Sequence, residues 1–155
     1  MISISLAEPQ DAHAILDLQK LAYQSEARLY NDWSLAPLTQ SLQSLLEEFE
    51  TSIFLKAVEA WQIVGSVRAK KSLVTCMIGR LIVHPAWQRR GFGSMLLIEI
   101  ESKFPDVCRF ELFTGSKNES NIRLYQRLGY GISHTKTLSP TVSLTFLQKT
   151  APGAG

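Results

Sequence analysis

The chain has 155 residues, 45% of them hydrophobic and 19% charged. That length and balance fit one folded domain with a real core and exclude an intrinsically disordered chain. A formal net charge of +2, with 16 basic residues scattered among 14 acidic ones, gives little support to a nucleic-acid surface as the main function.

Ile2-Ser3-Ile4-Ser5-Leu6 alternates apolar and polar residues, the period of a half-buried strand. The first nine residues have neither a basic n-region nor a long apolar h-region, so no signal peptide is expected. Glu8-Pro9-Gln10-Asp11 breaks the strand and opens a helix. In it Ala12, Ile15, Leu16, Leu18, Leu21 and Ala22 recur at helical spacing as far as Tyr23. Residues 25–37 read as a looser segment carrying Glu26, Arg28, Tyr30, Asp32 and Trp33. Helical spacing resumes with Leu38, Leu42, Leu45, Leu46 and Phe49.

From Ser52 the period changes to two. Residues 53–58 predict a strand, Glu59-Ala60 a turn, and residues 61–70 a second strand in which Gly65 marks a bulge. A third strand over 74–83 is stopped by His84-Pro85. A helix follows over 92–103 and is closed by Pro105. Residues 109–114 predict a strand whose helical crossover implies parallel pairing with the strand before it. Gly115-Ser116-Lys117 leads into a helix ending at Leu128, with Gly129 just past its end. Residues 132–137 and 142–147 predict a closing hairpin turned at Ser139-Pro140. Residues 1–149 thus read as one domain and 150–155 as a disordered tail.

The order β-α-α-β-β-β-α-β-α-β-β predicts an α/β (α+β) fold. Its mixed, mostly antiparallel twisted sheet has about seven strands, covered on both faces by about four helices. The two cysteines, Cys76 and Cys108, lie in strand-like apolar stretches and are expected to be buried and reduced. No His, Cys, Asp and Glu cluster has metal-ligand spacing, so no metal is expected. No apolar run reaches the roughly 20 residues that span a bilayer. A cytoplasmic protein with no membrane partner is expected.

The most informative stretch is Gln88-Arg89-Arg90-Gly91-Phe92-Gly93-Ser94, between the apolar run Leu81-Ile82-Val83 and the apolar helix start Met95-Leu96-Leu97-Ile98. A strand, a glycine-bearing turn and a helix leave backbone N–H groups unpaired at the positive end of the helix dipole, which suits a phosphate. Gly91 and Gly93 let a ligand oxygen approach the main chain, and Arg89 and Arg90 add permanent charge. A nucleoside-triphosphate P-loop is absent, and a dinucleotide fingerprint would need a glycine where Leu96 stands.

Gln88-Arg89-Arg90-Gly91-Phe92-Gly93, after a strand ending in Val83-His84-Pro85, resembles motif A of the GNAT superfamily of acyl-CoA-dependent N-acyltransferases. Residues 118–130, Asn-Glu-Ser-Asn-Ile-Arg-Leu-Tyr-Gln-Arg-Leu-Gly-Tyr, resemble the family's second signature. The two occur in the family's order, and the likeness extends over residues 2–148.

The resemblance implies the GNAT fold and acetyl-CoA as the cofactor, its pyrophosphate held by the amides of residues 88–94. Arg89 or Arg90 would reach an outer phosphate. Main-chain groups of Leu81, Ile82 and Val83 would line a slot for the pantetheine arm, and the N–H near Leu81 would polarise the thioester carbonyl. Tyr125 falls on the general-acid tyrosine. A thiol has a pKa of about 8.5 and a phenol about 10, so a phenol can protonate a departing thiolate while staying un-ionised at neutral pH. Of Asn118 and Asn121, one is expected to cap the helix, and Asn121 to bond the coenzyme arm. Gly129 and Tyr130 are expected to be structural.

Some family members carry a glutamate at the position of Met77, which cannot serve as a base. Glu111, Glu26, Asp32 and an ordered-water relay remain as candidates. His84 is expected to order its loop, and His13 and His134 to lie at the surface. The implied reaction moves an acetyl group to a primary amine of a small-molecule or peptide acceptor. A non-catalytic CoA-binding sensor is the alternative, and a homodimer is implied by the resemblance alone. The acceptor pocket is expected around Glu26, Tyr30, Trp33 and the Ser139-Pro140 turn.

Overall fold

The computed structural model describes residues 2–152. Strand β1 (Ser3–Leu6) is followed by four helices, α1 (Ala12–Ala22), α2 (Gln24–Tyr30), α3 (Ala36–Thr39) and α4 (Leu42–Glu48). A meander of β2 (Ile53–Glu59), β3 (Gln62–Ser72) and β4 (Thr75–Val83) comes next. Helix α5 (Phe92–Ser102), strand β5 (Arg109–Gly115) and helix α6 (Glu119–Arg127) lead to the hairpin β6 (Gly131–Thr137) and β7 (Ser143–Thr150).

All seven strands join one sheet in the order β1-β2-β3-β4-β5-β7-β6. Every pairing is antiparallel except β4 with β5. The alternation of β2 sorts the core onto two faces. Phe54 joins Ile15 and Leu16 of α1 and Leu45 of α4 in one cluster. Its neighbour Leu55 joins Leu96, Leu97 and Ile100 of α5 and Tyr125 of α6 in the other. Each fully buried leucine or isoleucine contributes about 1.5–3 kcal/mol, so these two layers set the sheet between its helices.

Three irregularities shape the sheet. Ala57 pairs with Gly65 and Val58 with Ile63, so Val64 is the extra residue of a bulge beside Gly65. A side chain at Gly65 would come within 2.9 Å of Leu96 on α5 and 3.2 Å of the Ile82 carbonyl. The second lies between Ser66–Ile82 and Arg68–Gly79, where Arg80 and Leu81 together oppose Val67 and Arg80 takes φ 51°. The third is the parallel pairing itself. It joins Thr75, Cys76 and Met77 to Arg109, Phe110 and Glu111, then ceases, so β4 and β5 diverge from Ile78 and Leu112 onward.

Several details differ from the sequence reading. The segment read as loose contains α2, which ends at Asn31 in the left-handed region (φ 50°). The helix expected over 38–49 is broken between α3 and α4. Gln40 is extended there, its side-chain amide bonded to Gln19, Ser44 and Glu48, and Ser41 caps α4 by accepting from the Ser44 N–H at 3.1 Å. Cys76 is buried, but Cys108 is exposed because it lies at the bend before β5 rather than within the strand. The expected tail starts too early. Thr150 belongs to β7, and Ala151 is buried with its N–H bonded to the Cys108 carbonyl at 2.9 Å. Residues 153–155 of that expected tail lie outside the described residues.

Candidate active site

At the turn from β4 into α5, Gly91 is the residue before the first helical one and takes φ 83°, ψ 6°. No side chain caps the helix there, and the first i to i+4 bond runs from the Met95 N–H to the Gly91 carbonyl at 3.1 Å. The amides of Phe92, Gly93 and Ser94 therefore lack helical acceptors and stand at the positive end of the helix dipole. Arg89, itself at φ 65°, and Arg90 are exposed beside them, with the Arg90 guanidinium 4.9 Å from the centre of the Trp87 ring. Two contacts brace the loop. Gln88 Nε2 donates to the Val83 carbonyl at 3.2 Å, and His84 Nδ1 accepts from the Ala86 N–H at 3.0 Å.

Below the turn, the divergence of β4 and β5 leaves the facing backbone edges of both strands without a strand partner. A cavity of about 290 Å³ opens between them. Residues 78–81 of β4 and 112–115 of β5 form its walls, α6 contributes Asn121 and Tyr125, and Tyr23, Glu26 and Tyr30 close it from the other helical layer. Gly93 lies against Leu124 of α6 and near Leu81 and Val83, so the turn adjoins the cavity.

Tyr125 is buried at 4% exposure, and its hydroxyl has no hydrogen-bond partner among the described residues. Burial, reinforced by neighbouring Tyr23 and Glu26, pushes its phenol well above the ordinary value. Glu26 is also buried. Loss of water pushes its carboxyl up, and the hydrogen bond it accepts from Asn118 Nδ2 opposes that only in part. Asn118 caps α6 through its Oδ1, which accepts from the Asn121 N–H at 3.0 Å. Asn121 Nδ2 in turn donates to Thr114 Oγ1 at 3.3 Å. The Tyr30 hydroxyl accepts from the Lys117 N–H at 2.8 Å.

The structure thus brings Leu81, Asn121, Tyr125 and Glu26 to one cavity, with Asn118 bound to Glu26 and residues 88–94 at the adjoining turn. Ile82 points into the sheet's core at 4% exposure. Glu111 lines a second chamber of about 210 Å³, together with Met77, and its carboxylate accepts from Gln148 Nε2 at 3.0 Å. Asp32 is engaged by the Ser34 N–H at 2.9 Å, and Trp33 is exposed and outside the lining. Tyr23, Arg80 and Thr114 also line the cavity, and none of them is marked as a site residue by the sequence. Tyr23 looked like the end of a helix, and the positive φ that turns Arg80 at the bulge leaves no mark in the sequence. Among the described residues no group of three or more His, Cys, Asp or Glu could hold a metal ion. No helix there is long and apolar enough to cross a membrane.

The uncapped start of α5, with the left-handed Gly91 before it, thus stands beside a sheet split along its parallel seam. The chain belongs to the acetyltransferase (GNAT) family, whose model matches residues 12–130. It is 25% identical to UPF0157 protein YqkA of Bacillus subtilis (strain 168) over 124 residues, which make up 80% of this chain and 36% of that one. The chain therefore spans little more than a third of the length of the curated relative it matches. Among solved structures it is similar to the ribosomal-protein-S18-alanine N-acetyltransferase of Escherichia coli, with a TM-score of 0.82, 18% identity, and coverage of 100% of this chain and 97% of that one. It is similar also to the PaiA N-acetyltransferase of Thermoplasma acidophilum in complex with coenzyme A, with a TM-score of 0.81, 17% identity, and coverage of 97% and 99%. A third, yncA from Salmonella typhimurium with its cofactor acetyl-CoA, has a TM-score of 0.77 at 20% identity, covering 97% and 94%. At these identities the likeness is one of fold.

Proposed function

We propose that this chain folds as one N-acetyltransferase domain that moves an acetyl group from acetyl-CoA to a primary amine by direct attack. The observation that carries the reading is the hydroxyl of Tyr125, a buried residue, which has no hydrogen-bond partner among the described residues and stands in a cavity walled by the diverging edges of β4 and β5.

The residues present fit the coenzyme. Uncapped amides at the start of α5, the left-handed Gly91 and the exposed Arg89 and Arg90 suit a diphosphate. The unpaired edge of β4 at Leu81, Ile82 and Val83 suits the amide-bearing pantetheine arm, with Asn121 as a side-chain partner. Acetyl-CoA supplies an activated acetyl group as a thioester.

The chain's own groups then have separable tasks. The Leu81 N–H polarises the carbonyl oxygen, an effect worth about 3 kcal/mol where such donors have been removed from other enzymes. The amine nitrogen forms the new N–C bond as the C–S bond breaks, and the sulfur keeps the bonding pair. Tyr125 gives the sulfur its proton, and burial keeps that phenol protonated until needed. Glu26 takes the proton the amine loses. Its raised pKa brings a carboxylate closer to that task, and it shares the Tyr125 cavity, whereas Glu111 lines the neighbouring chamber.

Thiol release from acetyl-CoA with a panel of primary amines, run beside calorimetry with CoA, tests the reading. Turnover that falls about a hundredfold in Tyr125→Phe while CoA still binds supports it. CoA binding with no turnover on any amine supports a sensor instead, and no CoA binding overturns both.

A further inference from the structure

We infer that the acceptor amine carries a carboxylate, and that Arg80 in the second chamber receives it. This rests on the acyl-transfer reading and names the substrate class of that site. The chamber of about 210 Å³ lies on the α4 side of the sheet, lined by Glu48, Arg68, Lys70, Glu111 and Arg80 among others. It shares Tyr23, Ile78, Gly79, Arg80, Leu112 and Phe113 with the Tyr125 cavity, so one molecule can occupy both.

Two independent observations on Arg80 point to a ligand. Its Nε is buried and is the one buried side-chain nitrogen or oxygen without a hydrogen-bond partner among the described residues. No carboxylate of the described residues forms an ion pair with it. Its backbone also sits at φ 51°, a conformation that costs a residue with a side chain about 1–2 kcal/mol. Strain and an orphaned donor on one residue are the marks of a group held for use rather than for stability.

The surrounding charges complete the picture. Arg68 is buried, its Nε paired with Glu48 at 3.1 Å and its Nη2 bonded to Gln19 at 3.1 Å and Gln40 at 3.2 Å. Glu48 is therefore already committed. Glu111 accepts from Gln148, and the Tyr23 hydroxyl adjoins the Arg80 guanidinium. That leaves two guanidinium ions close enough to repel through a partly dry chamber, as the lowering of Arg68 to about 10 by burial and by Arg80 also reflects. A carboxylate accepts two N–H bonds from a guanidinium side by side, which would satisfy the orphaned Nε and offset the repulsion. An amine lacking that group leaves both costs in place.

The test compares proteinogenic amino acids with the amines left by their decarboxylation, such as lysine with 1,5-diaminopentane and phenylalanine with 2-phenylethylamine. Binding to the CoA-loaded protein is read by thermal shift, and turnover by thiol release. At least one amino acid should bind and react about tenfold or more better than its decarboxylated partner. Arg80→Gln should erase that preference through the acceptor KM, and Arg80→Lys should restore part of it. Equal or better use of the decarboxylated partners throughout overturns the inference on the unmodified protein, whatever the variants do. Carboxylate-dependent binding without thiol release keeps the anion site and removes the transfer reading, so the two fail separately.

Discussion

The carboxylate of Glu26 on α2 accepts a hydrogen bond from the side-chain amide of Asn118 at the start of α6, 92 residues further along the chain. The same Asn118 caps α6 with its carbonyl oxygen, so one amide side chain both starts the helix that carries Tyr125 and fixes the acid opposite it.

That pairing makes Glu26→Gln informative. Burial raises the Glu26 carboxyl, so its ionised form is disfavoured in the fold. The contribution to stability is complete below the unfolded carboxyl value and is lost as pH rises through the folded value. Glutamine keeps an oxygen for Asn118 and carries no charge. Urea melts should find the variant more stable than the parent at pH 8, with the gap narrowing toward pH 4. Its kcat should fall about a hundredfold, as for loss of a general base. A parent more stable than the variant at pH 8 contradicts this account.

Tyr125→Phe should lower kcat about a hundredfold or more while the coenzyme dissociation constant stays within about threefold. Because burial pushes the phenol upward, Tyr125 should contribute no alkaline fall in rate below its ordinary value of about 10. A pH–rate profile carried to pH 9.5 checks the point.

Two glycines should respond differently to alanine. At Gly91 a side chain meets open space, but φ 83° strains it, so stability drops by only about 1 kcal/mol. The larger effect should be weaker coenzyme binding, measured by calorimetry. At Gly115 the added carbon would lie 2.8 Å from Tyr30 Cε2. Tyr30 must move and release the Lys117 N–H, costing about 1–3 kcal/mol in denaturant titrations.

The cysteines give a simple check on packing. Cys108 is exposed, while Cys76 is wholly buried with its thiol pushed up to about 12. One thiol per chain should react with a disulfide reagent in buffer at pH 8, and two in guanidinium.

The parts of this fold written in local chemistry were legible. Strand alternation, the Pro105 and Gly129 stops and the glycine turn at residues 88–94 each depend on a few adjacent residues, and the structure has them where expected. Gln40 was not legible as a break, because the partners that hold it extended, Gln19, Glu48 and Arg68, come together only in the folded chain. For the same reason Glu26 and Glu111 stood level as bases in the sequence. Only the packing of α2 against the start of α6 separates them, placing one in the Tyr125 cavity and the other in the chamber beside it. Arg80 carried no signal, since its bulge arises from the register between β3 and β4.

The sheet is continuous across its middle through only Thr75, Cys76 and Met77 and their partners on β5. Strands β1 to β4 and the trio β5, β7 and β6 are therefore two ladders stitched at one end, with α5 laid over the first. Amide protons should report two cooperative blocks, the meander exchanging as one and the C-terminal trio as another. A molecule wedged along the open length would lock the blocks together, slowing exchange on both sides of the seam far from any atom it touches.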